Sequence, residues 1–583
     1  MCGIIAGCDE KNIISSILHG LGSVEYRGYD SAGVAIINNQ SLETIKTIGK
    51  VSHLSEQTKS LISNIAIAHT RWATHGKVCT ENAHPHTSEN IAIVHNGIIE
   101  NHNALKTFLI NQGYIFSSET DSETIAHLLH YNSQNQANFE KAIEQTINKL
   151  DGNFAIIILN AKYPEKIYAI CNNNPLVIGK GTNSYWLASD AQALSHITKE
   201  CYIAPNNKLI AISKNSLKIN NQELTTPIDS LEKINSLTNQ TASKENFEHF
   251  MLKEIHEQPK TWYKLITKAQ ELPNKAENVH IVGCGSSFHA ALTAQYWFES
   301  IANCPTRAFI ASEYNQQNIA VPQNCILILP SQSGETADTL LALKKARKLN
   351  YKKIITLCNV AHSSIAQQAD ICLNLSCGPE IGVASTKAFT AQLWLFYLLA
   401  NHWGPKQAIN ANEIVTLANS VLDLKDQFYD LGKILANYKN SIFLGSGLGY
   451  PTALEAALKL KEISYIHAHA YPAGELKHGP LALIDQHLPV LASAMLGQNI
   501  NKTINYYQEI KARSGKLIIL HQGQLEIMNN FQNSILINLP QCCQNISPML
   551  FAIAYQLIAY YVAKNLNREI DQPRNLAKSV TVE

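Results

Sequence analysis

The chain of 583 residues lacks any excess of charge, with a formal net charge of +1, and it also lacks a long apolar run. Without a basic excess or an acidic tail, the sequence indicates no nucleic-acid partner. No apolar run reaches the ~18 residues of a membrane span, and the longest candidate, Ala391–Ala400, is too short and contains Gln392. We therefore expect no membrane association and about three to four domains of ~150 residues each.

Cysteine is present but lacks the spacings that disulfide-bonded or zinc proteins use. The thirteen cysteines are odd in number and scattered, no C-x-x-C occurs, and Cys542 and Cys543 are adjacent. Met1-Cys2-Gly3 is not followed by a basic and then an apolar region, so we expect no signal peptide. The pattern predicts buried thiols in a reducing cytoplasm and no structural metal.

Residues 2–220 predict many short strands and few helices. Apolar runs bounded by turn signals predict strands at Ile4–Ala6, Gly33–Ile37, Ile65–His69, Ile91–His95 and Phe154–Leu159. Helical patterns occur near Ile13–Leu21, Asn103–Gln112 and Asp121–His130. This mixture predicts stacked antiparallel sheets flanked by helices.

Residues 221–246 form a polar, aperiodic stretch that we interpret as a linker. After it, the sequence predicts strands that alternate with helices. A helix is predicted to begin near Phe247. Strands then run into glycine-rich turns twice, at Gly283–Ser287 and at Gly445–Gly449, and each turn opens a helix. The repetition predicts two domains with parallel sheets, at residues 247–425 and 426–572, before a tail at 573–583.

Cys2 is a candidate nucleophile in the first domain. Removal of Met1 would leave a thiol and a free α-amine on one residue, and an amine with a pKa of ~7.7–8.0 can act as a general base. Taken alone, a cysteine at this position is more often incidental.

Polar residues at the ends of the following strands could complete a site. Arg71 is able to hold a carboxylate bidentately, and Asn96 with the Gly97 N–H has the parts of an oxyanion hole. The Asp121 carboxylate could accept a hydrogen bond from a substrate ammonium group. It also opens a helix, and on the local pattern alone an ordinary N-cap is the favoured interpretation.

The motifs of this domain resemble the class II glutamine amidotransferases, which have an N-terminal-nucleophile hydrolase αββα sandwich. The resemblance rests on Cys2-Gly3-Ile4, Glu25–Ser31, His69–Gly76 (HTRWATHG), Asn82–His86 (NAHPH), His95–His102 (HNGIIENH) and Glu119–Glu123. It implies that Cys2 attacks the glutamine side-chain amide while Asn96 and Gly97 stabilise the oxyanion. It implies further glutamine-site roles: Arg71, Thr74 and His75 on the carboxylate, Asp121 on the α-amino group, Arg27 in organising the site, and Trp72 as a mobile cap.

The second half contains hydroxyl-rich turns that suit a phosphate. Ser331–Thr336 follows a strand and opens a helix, where N–H groups and hydroxyls bind phosphate, although such a turn is usually only a turn. Similar turns occur at Gly283–Ser287 and Val383–Lys387. No Gly-Lys-Ser/Thr is present, and Gly283-Cys284-Gly285 lacks the third glycine of a dinucleotide fingerprint.

Glu455, Lys459 and Glu462 have helical spacings of four and three, so they share one helix face. With His478 in the following turn, they could move protons. An isolated pair of this kind is more often a weak surface ion pair.

These segments resemble the sugar isomerase (SIS) domain, a flavodoxin-like α/β fold, present twice. Together with the amidotransferase domain they resemble the glucosamine-6-phosphate synthase family over the whole chain. The resemblance rests on Gly378–Phe389, Glu455–Ala468, Gly474–Asp485 and Asp571–Glu583. It implies L-glutamine and D-fructose 6-phosphate as substrates, ammonia passed inside the protein, a homodimer through the SIS domains, and no cofactor.

The resemblance also implies roles for residues of the sugar site. Lys578 forms a Schiff base with the ketose, His478 of the neighbouring subunit assists ring opening, Glu462 moves a proton between C1 and C2, and Lys459 takes part in later proton transfers. The remaining implied contacts to fructose 6-phosphate come from Ser286, Ser287, Ser331, Gln332, Ser333, Thr336, Val383, Ser385 and Ala577.

Three other functions fit parts of the sequence. A phosphoribosyl pyrophosphate amidotransferase would carry an acidic phosphoribosyl-binding loop in place of the SIS repeat. A sugar-phosphate sensor would have lost the catalytic lysine and carboxylate, yet Lys459, Glu462, His478 and Lys578 are all present. A deglycase built from the SIS pair alone would not need Cys2.

Overall fold

The structure is a computed structural model that describes residues 2–73, 76–136, 138–220, 222–223, 233, 243–268, 271–361, 363–497, 500–523, 526–531 and 533–580. It forms two units, residues 1–243 with 577–583 and residues 244–576. Most of the predicted linker, residues 221–246, lies outside the described residues.

The first unit contains two antiparallel sheets of seven strands each. The strands are β1 Gly3–Cys8, β2 Ser31–Asn38, β3 Ser41–Ile48, β4 Ile65–Arg71, β5 His86–Ser88, β6 Ile91–Ile99, β7 Gly152–Asn160, β8 Ile167–Asn172, β9 Val177–Lys180, β10 Tyr185–Ala188, β11 Glu200–Ile203, β12 Ile210–Ile212, β13 Leu217–Ile219 and β14 Gln222–Glu223. The sheet orders are β11-β9-β10-β1-β4-β2-β3 and β14-β13-β12-β8-β7-β6-β5. The helices are α1 Ile14–Ser23, α2 Val51–Gln57, α3 His102–Asn111, α4 Ser122–Gln134 and α5 Phe139–Ile147.

Alternation along the strands separates the two faces of each sheet. Ile4 of β1 packs with Val94 and Ile157 of the other sheet, whereas its neighbour Ile5 packs against α1 and α2. Leu128 of α4 packs on the outer face of the second sheet. The unit is therefore an αββα sandwich, which confirms the predicted stacked sheets flanked by helices.

The second unit contains two parallel sheets of five strands. The strands are β15 Asn278–Gly283, β16 Thr306–Ile310, β17 Cys325–Ser331, β18 Lys353–Cys358, β19 Ile371–Asn374, β20 Asn440–Gly445, β21 His467–Pro472, β22 Pro489–Ala494, β23 Lys516–Gln522 and β24 Ile535–Leu539. The orders β16-β15-β17-β18-β19 and β21-β20-β22-β23-β24 repeat one flavodoxin-like topology. The predicted duplication with parallel sheets is confirmed.

Helices cover these two sheets and form a shared hydrophobic core within the second unit. They are α6 Phe250–His256, α7 Gln258–Thr267, α8 Ser286–Ser300, α9 Ala311–Gln316, α10 Ala337–Ala346, α11 Ser364–Gln368, α12 Lys387–Trp403, α13 Ala411–Leu422, α14 Lys425–Leu435, α15 Gly449–Ser464, α16 Ile500–Lys511 and α17 Ser547–Asn565. α12 and α17 are buried on nearly all sides, which is typical of apolar helices inside a core. Among the described residues, no helix is long and apolar enough to cross a membrane.

One helix start differs from the sequence prediction. The helix expected to begin near Phe247 begins at Phe250, because His249 still has an extended backbone with φ −132° and ψ 151°.

The thirteen cysteines are all free thiols.

Candidate active sites

Cys2 lies beside the end of β4, because the antiparallel register pairs Gly3 with Thr70. The Trp72 N–H donates to Cys2 Sγ over 3.3 Å. Burial raises the pKa of the Cys2 thiol, although the Trp72 N–H and the positive charge of Arg71 act in the opposite direction. A thiol held protonated needs a base before it can attack a substrate.

Asn96 meets Cys2 from the opposing sheet. Its side-chain Nδ2–H donates to the backbone carbonyl of Cys2 at 2.9 Å. The next residue, Gly97, has φ +127°, and an added Cβ would lie 2.1 Å from the Asn153 carbonyl, so only glycine fits. The structure thus brings together Cys2, Trp72 and Asn96.

The two predicted arginines are both buried. Arg71 ends β4, and its guanidinium lies 3.4 Å from the carbonyl oxygens of Gly76 and of Lys77. Arg27 donates to the Ser189 carbonyl at 3.1 Å and pairs with Asp190 at 3.3 Å, so it organises a loop. Two further predicted residues, Thr74 and His75, lie outside the described residues.

Asp121 does not cap its helix, so the N-cap interpretation is wrong. It occupies the position before α4, yet its side chain makes no capping hydrogen bond. Instead Oδ2 accepts from the Ile99 N–H at 2.8 Å, and Oδ1 accepts from the Ser122 hydroxyl at 3.4 Å. The carboxylate therefore fastens α4 to the end of β6, the strand that carries Asn96.

In the second unit, Glu455, Lys459 and Glu462 lie along α15, but they are not a surface pair. The Lys459 side chain is 1% exposed, and its Nζ lies 2.6 Å from Glu462 Oε2 and 3.4 Å from Glu455 Oε1. Burial would lower the pKa of Lys459, but the two carboxylates outweigh it and hold that pKa above its usual range. The expectation of a surface ion pair, drawn from the local pattern alone, is wrong.

Ser286 and Ser287 begin α8 and have different partners. The Ser286 hydroxyl donates to Glu455 Oε1 at 2.8 Å and lies 3.3 Å from Lys459 Nζ. The Ser287 hydroxyl accepts from Gln392 Nε2 of α12 at 3.0 Å. The Ser286 hydroxyl therefore belongs to the lysine–carboxylate cluster, whereas the Ser287 hydroxyl ties α8 to α12.

The turn Ser331–Thr336 connects β17 to the N-terminus of α10. Ser331 Oγ accepts from the Gly334 N–H at 2.9 Å, and Ser333 Oγ accepts from the Glu335 N–H at 3.2 Å. Gly334 has φ +71°, and an added Cβ would lie 2.0 Å from Ser363 Oγ. The turn, which includes the half-buried Gln332, is therefore ordered by its own serine hydroxyls, and it lies at the N-terminus of α10, a place suited to phosphate.

A second loop, at the start of α12, is organised by Glu380. This buried carboxylate accepts from the N–H groups of Thr386 and Ala388, each at 2.9 Å, and from the Ser385 hydroxyl at 3.3 Å. The Val383 N–H donates to the Asp571 carbonyl at 3.0 Å. The two predicted sugar contacts, Val383 and Ser385, are both half-buried.

The segment leading into the tail is anchored by Tyr465, the αL residue that ends α15 at φ +65°. Its hydroxyl accepts from the Arg574 N–H at 2.9 Å, and the Arg574 guanidinium lies 4.3 Å from the ring centroid. Ala577 and Lys578 follow and are half-buried, whereas His478, at the end of a 3₁₀ turn, is exposed.

Comparison with known proteins identifies a known domain type in each of the two parts of the chain. Residues 69–196 match the glutamine amidotransferase domain, and residues 274–402 and 434–565 each match the SIS domain. The glutamine–fructose-6-phosphate aminotransferases [isomerizing] of Buchnera aphidicola subsp. Acyrthosiphon pisum and of Legionella pneumophila strain Lens are each 42% identical to this chain, over 100% of it and 100% of their own length. The chain belongs to the glutamine–fructose-6-phosphate aminotransferase (isomerizing) family.

A solved structure of the same family covers the second unit. The C-terminal domain of glucosamine-fructose-6-phosphate aminotransferase from Francisella tularensis is 38% identical, covers 57% of this chain and 100% of its own, and superposes with a TM-score of 0.54. This agrees with the tandem parallel sheets of the second unit.

Sequence reasoning missed several buried groups of this family member. His289, one turn after Ser286 on α8, donates to Glu455 at 2.8 Å, and Glu380 orders the α12 loop. In the first unit, His69 and His84 have ring centroids 3.9 Å apart, and burial lowers the pKa of His69 to about 3. For His289, the one sequence feature that pointed to the site was its i, i+3 spacing from Ser286 on the same helix.

Proposed function

We propose that this protein converts D-fructose 6-phosphate and L-glutamine into D-glucosamine 6-phosphate and L-glutamate, the first committed step of hexosamine biosynthesis. It is a transferase, a glutamine-dependent fructose-6-phosphate transaminase (isomerising). The single observation that carries this proposal is the similarity over 100% of both chains to aminotransferases of this name. A sugar-phosphate sensor is disfavoured because the Lys459–Glu462 pair is present.

In the first unit, Cys2 is proposed to attack the amide carbon of the glutamine side chain. With Met1 removed, its α-amine takes the thiol proton and passes it to the departing ammonia, and water then hydrolyses the thioester to glutamate. Asn96 Nδ2–H and the Gly97 N–H stabilise the oxyanion. The 2.9 Å contact between Asn96 and Cys2 supports this assignment.

Glutamine is proposed to be held through its charged ends, by Arg71, Thr74 and His75 at the carboxylate and by Asp121 at the ammonium group. Arg27 organises the site, and its two buried contacts support that role. Trp72 closes over the substrate.

In the second unit, the phosphate of fructose 6-phosphate is proposed to bind at the start of α10, where the ordered Ser331–Thr336 turn supports the assignment. The proposed phosphate contacts are Ser286, Ser287, Ser331, Gln332, Ser333 and Thr336. The sugar is contacted by Val383, Ser385 and Ala577.

The sugar chemistry is proposed to pass through a Schiff base. His478 of a second copy assists ring opening, and the Lys578 amine adds to C2 of the open ketose and expels water. Glutamine-derived ammonia, passed inside the protein, then displaces Lys578. Glu462 takes a proton from C1 and returns it to C2. The O1–H proton passes to the nitrogen, a transfer in which Lys459 takes part, and this yields the amino aldose. Lys459 Nζ lies 2.6 Å from Glu462 Oε2, which supports a joint role of the two side chains in these proton transfers.

The working form is proposed to be a homodimer through the SIS domains in a reducing cytoplasm, where the free thiols persist. We propose a glutaminase domain at 2–220, SIS domains at 247–425 and 426–572, and the tail at 573–583.

The test is an assay of purified protein for glucosamine 6-phosphate, with fructose 6-phosphate and either glutamine or ammonium as nitrogen source. We expect product with glutamine at concentrations where ammonium gives much less. No product with either nitrogen source would refute the proposed function.

A further inference from the structure

Asn96 lies between two peptide groups whose carbonyl oxygens each accept a hydrogen bond from a distant side chain of the first unit. His69 Nε2 lies 3.0 Å from the carbonyl oxygen of His95. Asn174 Nδ2–H donates to the carbonyl oxygen of Asn96, also at 3.0 Å. A carbonyl oxygen only accepts hydrogen bonds, so both side chains are donors. The backbone on each side of Asn96 is therefore held separately from its side chain, which donates to the Cys2 carbonyl.

Side chains take this role because β6 extends beyond its neighbour β5. The two strands pair at only three residues of β6, from Ile91 to Ile93, whereas β6 continues to Ile99. Within the described residues, no strand pairs with this edge of β6 beyond Ile93. The segment around Asn96 therefore lacks half of the strand hydrogen bonds that would otherwise fix its peptide groups.

The hydrogen bond from Asn174 fixes the direction of the Gly97 N–H. The Asn96 carbonyl and the Gly97 N–H belong to one trans peptide, so they point in opposite directions. A hydrogen bond to the carbonyl holds the whole peptide plane, and it polarises the amide so that the N–H becomes a stronger donor. Gly97 has no side chain to restrict this plane and has φ +127°.

The loop that carries Asn174 is itself anchored on both sides. Asn172 ends β8, and its Nδ2–H donates to the Gly152 carbonyl at 2.8 Å. On the other side, the Leu176 carbonyl accepts from the Ala204 N–H at 2.9 Å. Asn174 therefore reaches Asn96 from a fixed place in the fold.

We propose that Asn174 is a positioning residue of the glutaminase site, which directs the Gly97 N–H toward the oxyanion that forms when Cys2 attacks glutamine. This inference rests on the proposed function. An oxyanion hole needs donors within about 2.7–3.1 Å of the developing charge, so a small rotation of the peptide weakens the stabilisation. Asn174 acts through the Asn96–Gly97 peptide rather than on the substrate.

The role is tested by glutamine hydrolysis with full-length protein and a matched pair of alanine variants. Asn174→Ala removes the donor to Asn96, and Asn172→Ala removes the neighbouring loop contact to Gly152. We expect kcat to fall about tenfold in Asn174→Ala with KM for glutamine within about twofold, and both constants to stay within about twofold in Asn172→Ala. Equal kcat values for the two variants would overturn the proposal.

A second variant, Asn174→Asp, covers the case in which Asn174→Ala does not fold, because aspartate keeps the volume of asparagine. Its carboxylate cannot donate to the Asn96 carbonyl, so we expect at least the same loss in kcat. Ammonium-dependent synthesis should stay within about twofold of wild type, since only the oxyanion step is affected. A wild-type kcat for glutamine hydrolysis, or an equal loss of both activities, would overturn the proposal.

A tetrahedral analogue distinguishes positioning from a general structural effect. L-Glutamate γ-semialdehyde reacts with Cys2 so that the S–C bond forms, the carbonyl π electrons move to oxygen, and the thiol proton passes to the α-amine. The adduct places an oxyanion in the hole, whereas L-glutamate forms no adduct. We expect the Ki of the semialdehyde to rise about tenfold in Asn174→Ala and the Ki of L-glutamate to change less than about twofold. A lower kcat with an unchanged semialdehyde Ki would overturn the proposal, whereas a wild-type protein that hydrolyses no glutamine would refute the proposed function itself.

Discussion

The ammonium group of Lys459 lies 2.6 Å from the carboxylate of Glu462, three residues further along α15. A single cation serves two carboxylates here, because Glu455 lies 3.4 Å from the same ammonium group. Burial would raise the pKa of Glu455, but Lys459 and the hydrogen bonds from His289 and Ser286 hold it below its usual range. This arrangement places one buried cation between a buried carboxylate and the proposed base.

Removing the cation should destabilise the second unit. Lys459→Met removes the cation beside the buried Glu455 and the half-buried Glu462, so we expect a loss of about 3–5 kcal/mol in the free energy of unfolding at pH 7, measured by urea unfolding. The depressed pKa of Glu455 adds stability above its unfolded pKa of about 4.3 and none well below its folded pKa. The deficit should therefore shrink as the pH falls below about 4. Lys461→Met, an exposed position on the same helix, should change stability by less than about 0.5 kcal/mol.

The nucleophile is tested by a change that leaves the sugar site intact. Cys2→Ala should abolish glutamine hydrolysis and glutamine-dependent synthesis, and ammonium-dependent synthesis should remain within about threefold of wild type. Cys543→Ala, at an exposed thiol, should leave both activities unchanged. Glutamine-dependent synthesis that persists in the verified Cys2→Ala protein would contradict the assignment.

The Schiff-base lysine is tested by covalent trapping. Borohydride reduction of wild-type protein with fructose 6-phosphate should add one sugar phosphate to Lys578, located by peptide mass spectrometry. Lys578→Ala should lose both the adduct and synthesis, whereas Lys564→Ala, at a lysine paired with Glu248, should retain them. An adduct on another lysine would refute the role.

The phosphate turn should not tolerate a side chain at Gly334. In Gly334→Ala the new Cβ would need to lie 2.0 Å from Ser363 Oγ at a backbone φ of +71°, so the turn must shift. We expect the KM for fructose 6-phosphate to rise at least about tenfold, with glutaminase activity unchanged. Gly22→Ala, where an added Cβ meets open space, is the matched control and should change neither.

The anchor of the tail is tested by proteolysis. Tyr465→Phe loses the acceptor for the Arg574 N–H and keeps the ring beneath two guanidinium groups, at 4.3 Å and 5.1 Å. Tyr465→Leu loses both. Trypsin cleavage after Arg574 should speed up about fivefold for Tyr465→Phe and more for Tyr465→Leu. Equal cleavage in all three proteins would show that Tyr465 does not restrain the tail.

Much of the fold follows from short-range patterns in the sequence. The five apolar runs predicted as strands in the first unit lie within β1, β2, β4, β6 and β7, and the predicted helices lie within a few residues of α1, α3 and α4. Periodicity is a local property, so it survives folding. The helix start at Phe250 was missed because the extended backbone of His249 leaves no mark on the residue pattern.

The site was less predictable where it depends on distant contacts. Asp121 had the local pattern of an N-cap, but its partner is Ile99, 22 residues away. Lys459 and Glu462 resembled a surface pair because nothing local shows that α15 is covered by α17 and β21. The bond from His289 to Glu455 spans 166 residues, which no spacing rule predicts.

The most direct test of the coupling between the two halves is the fate of the glutamine amide nitrogen. Full-length protein would receive fructose 6-phosphate, glutamine labelled with ¹⁵N at the side-chain amide, and a tenfold excess of unlabelled ammonium. We predict glucosamine 6-phosphate that carries ¹⁵N in nearly every molecule. Product with the isotope ratio of the bulk ammonium, or no product, would contradict it.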